Sequence, residues 1–202
     1  MNIKALIAVA ALAAAPHLAS AQAQVTLSAA SQTVDVGDTF SLLVDGLGFN
    51  TTPANLPINN FQGGQNVAFS FDASILELLS VSIDPIWSFR ALPGTIDNAA
   101  GKLTGVTFLV TPALVPAGPD YSFHFATLQF RALGAGTGHV AVTGGTFVGK
   151  VNNQAARSIA PTLGSAEVNV VSVPEPSTYA LMLAGIVAVG SVARRRSASS
   201  RA

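Results

Sequence analysis

Three residues in one short run, Trp87, Phe89 and Arg90 of IWSFRAL, are the side chains of this sequence best suited to hold a ligand. A sugar ring can stack on an exposed indole, and an arginine can hydrogen-bond its hydroxyls or stack in turn. The same tryptophan can instead cap a core beneath its loop. Acid–base and nucleophilic chemistry has less to work with. Only His124 and His139 lie between residues 24 and 172. On a strand, His124 points away from its neighbours Phe123 and Phe125, which makes it an outward residue. His139 follows a glycine-rich turn, and neither histidine has the grouped carboxylates of a zinc site. Asp35 with Asp38, and Asp84 with Asp97, offer oxygen atoms for calcium, but without EF-hand spacing they fit turn-forming roles. There is no cysteine, so disulfides, thiolate metal sites and a cysteine nucleophile are excluded. No GxSxG elbow, P-loop or HExxH occurs. The sequence predicts no catalytic residue, no metal and no cofactor.

The elements that must position these residues are strands. Phe40, Leu42 and Val44 alternate with Ser41, Leu43 and Asp45, and the period of two returns at Val67–Phe71 and Val106–Val110. Further strands are expected at Val25–Ala29, Leu76–Ile83, Ser122–Leu133, His139–Thr143, Thr146–Val151 and Ala166–Val171. In YSFHFATLQFRAL the apolar parity changes from odd (Tyr121, Phe123, Phe125) to even (Leu128, Phe130). A one-residue bulge near Ala126–Thr127 keeps both sets facing a core. Asp72-Ala73-Ser74 reads as a strand exit through an Asx-type turn that buries Ile75 and Leu76. About nine short strands separated by Gly, Pro, Asn and Asp predict an all-β, antiparallel sandwich or jelly roll. Two gaps are longer than the rest, Gly46–Asn66 and Asp84–Lys102, and long loops on a rigid scaffold are where binding sits.

The two ends differ from this body. Lys4, the apolar run Ala5–Ala15, Pro16 and the small residues at Ala19–Ala23 have the layout of a secretory signal peptide over residues 1–23. At the other end, Pro174 and Pro176 forbid helix, after which Ser177 or Thr178 can cap an apolar helix over 179–193. About 15 residues make roughly 22 Å of helix, short of the ~30 Å hydrocarbon core of a bilayer. Arg194, Arg195 and Arg196 follow, and charge of that sign is retained on the cytoplasmic side. The domain between the ends, 24–172, carries five cations (Arg90, Lys102, Arg131, Lys150, Arg157) against nine carboxylates. That balance excludes nucleic acid as a partner, because binding it needs clustered cations.

Taken together, Pro174-Glu175-Pro176, the apolar run and the three arginines resemble the PEP-CTERM sorting signal of Gram-negative, biofilm-forming bacteria. The resemblance covers residues 173–202. It implies that a membrane-embedded exosortase recognises Pro174, Glu175 and Pro176 and removes the helix. The inner membrane then holds only the precursor, through 179–193, and the mature form reaches the cell surface or the exopolysaccharide matrix. A second likeness lies in the body. SQTVDVGDTFSLLVD, NVAFSFDASILELLSVS and YSFHFATLQFRALGAGTGHVAV resemble the cohesin family in content and order. That resemblance implies a nine-stranded jelly-roll sandwich. Cohesins bind dockerin modules and related sandwiches bind carbohydrate, but the matching motifs are scaffold and carry over the fold alone. The chain departs from the family in its long Gly46–Asn66 loop. The expected protein is an exported, non-enzymatic surface or matrix module that binds polysaccharide or a surface protein. A dockerin-type docking module and a polysaccharide-acting enzyme are the alternatives.

Overall fold

The computed structural model describes residues 23–28, 31–49, 60–114, 122–150, 155–172 and 181–187. Among them are thirteen strands: β1 (Gln24–Ser28), β2 (Ser31–Asp35), β3 (Thr39–Leu47), β4 (Asn60–Phe71), β5 (Leu76–Ile83), β6 (Arg90–Leu92) and β7 (Thr95–Asp97). The series continues with β8 (Lys102–Leu114), β9 (Phe123–Ala132), β10 (Gly136–Lys150), β11 (Arg157–Ile159), β12 (Thr162–Leu163) and β13 (Ser165–Val171). They form two layers. A five-stranded sheet runs β12-β1-β3-β9-β5, and a larger sheet runs β2-β13-β10-β4-β8-β6, with β11 beside β10 and β7 beside β8. All pairings are antiparallel except β1 with β12 and β2 with β13. Alternating sequence becomes alternating burial. Phe40, Leu42 and Val44 of β3 and Ala166, Val168 and Val170 of β13 enter one shared core.

The core is aromatic at one end of the sandwich. Phe49, Phe61, Trp87, Phe108, Phe123, Phe125 and Phe147 are buried together, with Phe108 stacked on Phe125 at 4.5 Å between centroids and Trp87 edge-on to Phe61 at 5.7 Å. Towards the other end Phe130 meets Phe40 at 5.7 Å and Phe71 at 5.5 Å. Such pairs add about 0.5–1.5 kcal/mol each beyond the apolar area they bury, and they supply cross-layer cohesion to a chain that has no disulfide.

Several expectations need correction. Among the described residues the strands number thirteen, because β2, β6, β7, β11 and β12, each five residues or fewer, carry no period-two signal. The two strands expected at His139–Thr143 and Thr146–Val151 are one, β10. Its break at Gly144-Gly145 is absorbed as register irregularities against β4. Gly145 there has φ 150°, and a Cβ on it would stand 2.9 Å from the Val67 side chain. Both long gaps contain strand: β4 already begins at Asn60, and β6 and β7 occupy part of the second. The bulge in β9 is present one residue before its expected place. Val44 pairs with Ala126 and Asp45 with His124, so Phe125 is the extra residue, and it and Ala126 are both buried. At Asp72 the turn is made by the backbone. Its carbonyl accepts from Ile75 N–H at 3.0 Å and Leu76 N–H at 2.8 Å. Its carboxylate reaches across to accept His139 N–H at 2.8 Å instead of closing an Asx turn. Leu76 is buried, whereas Ile75 is half-buried against the core.

Residues 181–187 are helical, within the expected 179–193, and all seven are exposed. Among the described residues no helix is long and apolar enough to cross a membrane. The expected signal peptide through residue 22, the sorting motif Pro174, Glu175, Pro176 and the arginines Arg194, Arg195, Arg196 lie outside the described residues, as do Tyr121 and 50–59 of the first long gap.

Candidate ligand-binding site

The run that suggested ligand chemistry connects the two sheets, and the structure divides its residues. Trp87 is only 1% exposed. Its indole N–H donates to the His124 carbonyl at 2.9 Å, and its ring lies among Phe61, Phe108, Phe123 and Phe125. No face of it is open to a sugar, which corrects its expected ligand role in favour of the core-capping one. Burial of so large a ring outweighs the exposure that stacking needs, and its one polar atom is satisfied by the neighbouring strand. Phe89 is the opposite case. Ten of the eleven phenylalanines are buried, and Phe89 is 65% exposed.

The connection that presents Phe89 is held from both sides. Asp84 N–H donates to the Phe125 carbonyl at 3.1 Å, and the Asp84 carboxylate accepts Ile86 N–H at 2.9 Å in an Asx turn. Trp87 N–H donates to the Asp84 carbonyl at 3.1 Å, and Phe89 N–H donates to the Leu109 carbonyl at 3.0 Å. The five-stranded sheet thus anchors Trp87, and the larger sheet anchors Phe89.

Phe89 forms one wall of a groove of about 350 Å³ on the larger sheet, lined also by Gln62, Gln65, Leu109, Val110, Thr111 and Val148. A volume of that size lies in the range of ligand pockets, about 300–1,000 Å³. The register explains the hollow. One row crosses the sheet from Arg90 through Leu109, Gly63 and Val148 to Ser158. Gly63 leaves its middle without a side chain. Its φ is 126°, and a Cβ there would lie 1.9 Å from the Phe108 carbonyl oxygen, so no larger residue can fill the place. The lining combines one exposed ring and three aliphatic side chains with two amides and a hydroxyl, so it offers both an apolar floor and a few hydrogen-bonding groups. Arg90 is exposed on β6 directly opposite Leu109, which sets it at the edge of the same face.

On the outer face of the five-stranded sheet the structure assembles a row with no signature in the sequence. His124 Nδ1 lies 2.8 Å from Asp45 Oδ1, and Nε2 lies 3.1 Å from Thr127 Oγ1. With Asp45 accepting from Nδ1–H, Nε2 of a neutral ring accepts the Thr127 hydroxyl proton. His124 is therefore half-buried and bonded, where the sequence reading had it simply outward. Its bonds span the β9 bulge, which suits a clamp on that bulge. Asp45 and His124 are 79 positions apart, and only strand pairing brings them together. The remaining acidic candidates are in turns: Asp38 N–H closes on the Asp35 carbonyl at 3.1 Å, and the Asp97 carboxylate accepts Ala100 N–H at 2.9 Å. Among the described residues no three His, Cys, Asp or Glu side chains stand together as a metal set. His139 lies 3.5 Å from Glu167 on the neighbouring strand, both well exposed.

The sandwich has the cohesin fold. It is similar to the seventh ScaB type I cohesin of Pseudobacteroides cellulosolvens, with a TM-score of 0.54 and 16% identity over 77% of this chain and 96% of that one. The cohesin–dockerin complex Coh-OlpA-Doc918 of Clostridium thermocellum gives 0.53 and 11% identity over 74% and 99%. A type II cohesin domain from the cellulosome of Acetivibrio cellulolyticus gives 0.51 and 16% over 73% and 95%. At the C-terminus, residues 172–197 match the family model of the PEP-CTERM protein-sorting motif. No curated protein matches the chain in sequence.

Proposed function

We propose that this protein is an exported, non-enzymatic binding module, processed by an exosortase at Pro174-Glu175-Pro176 and delivered to the cell surface or extracellular matrix of a Gram-negative bacterium. Its sandwich is the cargo, and its ligand is carbohydrate, held in the groove beside Phe89. The exposure of that one ring, in a protein that buries its other ten phenylalanines, carries the ligand reading. The match at 172–197 supports the sorting reading, as does the helix at 181–187, whose Leu181, Met182, Leu183, Ile186 and Val187 are all exposed. A helix apolar on every side is suited to hydrocarbon surroundings. Affinity electrophoresis through a panel of matrix glycans tests the ligand. Retardation by a glycan, reduced about tenfold or more in Phe89→Ala, is expected; no retardation by any of them counts against it.

A second reading, docking of a protein partner, is favoured by the likeness to cohesins, one of them in a cohesin–dockerin complex. It predicts a partner recovered by pull-down that survives enzymatic removal of glycans.

A further inference from the structure

The charges that border the groove narrow the ligand further. Arg90 lies at one side, opposite Leu109, on the face that Leu109 lines. Lys150 lies at the other side: Val148 lines the groove, and two positions along the same strand Lys150 returns to the same face. Among the described residues neither cation has an ion-pair partner, and the residues opposite them, Leu109 and Asn60, are neutral. Cations elsewhere do face carboxylates. Arg131 is bonded to Glu77 through Nε at 2.9 Å, and Lys102 stands opposite Asp97. Arg157, opposite Gly149, adds positive charge at the same end of the sheet but turns to the other side. All this occurs in a domain with nine carboxylates and five cations, so a positive border is no by-product of a basic protein.

We infer that the groove takes an acidic polysaccharide, one whose sugar rings carry carboxylates. This rests on the glycan reading above. Arg90 and Lys150 are separated by three strand spacings, about 14 Å across the sheet. A single small anion cannot satisfy both, whereas a polymer with charges repeated along its length can. The groove lies over the middle of the sheet, where backbone groups are already spent in the ladders of β10, β4 and β8. It therefore offers no open edge on which a peptide strand could add, and its amides and single ring address sugar hydroxyls and a ring face.

The test is binding of the purified full-length protein to three polymers: polygalacturonate, neutral dextran and polyglutamate. Polygalacturonate is expected to bind in a salt-sensitive way. Arg90→Gln with Lys150→Gln weakens it about tenfold or more, Phe89→Ala does so as well, and polyglutamate binds far more weakly. Circular dichroism of each variant checks the fold; the substituted side chains lie at the surface or groove rim. Dextran binding as tight as polygalacturonate, still dependent on Phe89, would sink the acidic specificity and leave the glycan reading standing. Binding of neither glycan overturns the acidic inference, and the glycan panel then decides the wider reading. Equal binding of polyglutamate shows plain charge attraction and overturns the inference.

Discussion

Trp87 and Phe89 stand two residues apart and do opposite work. Removing the indole N–H with Trp87→Phe takes a donor from the His124 carbonyl and thins the aromatic cluster, at an expected cost of about 1–3 kcal/mol. Phe89→Ala, at an exposed position, should change stability by less than about 0.5 kcal/mol while weakening ligand binding. Urea denaturation of both variants measures the contrast, and equal losses would mean that Phe89 is a packing residue. The sequence singles out this run as a ligand candidate but does not show which ring is exposed. A spacing of two puts both rings on one face only if the run is a strand, and residues 84–89 form a turn and connection between sheets. The clamp of Asp45, His124 and Thr127 was hidden for a different reason: it depends on a register between β3 and β9 that no local pattern encodes.

Among the elements, those with a buried face were legible and those at the margins were not. The parity change across Phe125 and Leu128 located the β9 bulge to within a residue, because burial on one face punishes a slip in register. The short strands β6, β7, β11 and β12 take their conformation from a longer neighbour, so their own residues announce little. One margin has a device of its own. β5 is an edge of its sheet. The Asn98 side chain accepts Leu78 N–H at 2.9 Å and donates to the Leu78 carbonyl at 3.1 Å, as a neighbouring strand would. Asn98→Ala leaves that pair to water or to another edge. It is expected to cost about 1–2 kcal/mol and to raise self-association, read by denaturation and light scattering. A variant as stable and as monomeric as the parent would show that the amide neither supports nor guards the edge.

For the molecule as a whole, the chain joins a cohesin-fold sandwich to a C-terminal segment that matches a protein-sorting motif, and the proposed function assigns binding to the first and destination to the second. The secreted form is expected to lack 181–187 and everything after it, with its new C-terminus near Pro174-Glu175-Pro176. Intact-mass spectrometry reads this directly, and Glu175→Ala should leave the uncut precursor in the inner membrane. Mature protein that retains Arg194–Arg196 would overturn the sorting proposal. On the proposed reading the protein would work under shear, and the attachment of the Phe89 connection bears on that. Tension on a polymer bound as proposed would enter a backbone segment whose indole is tied to one layer and whose Phe89 amide is tied to the other. A tug is thus divided between the two sheets from the outset, so no single border strand has to be peeled from its end for the grip to hold.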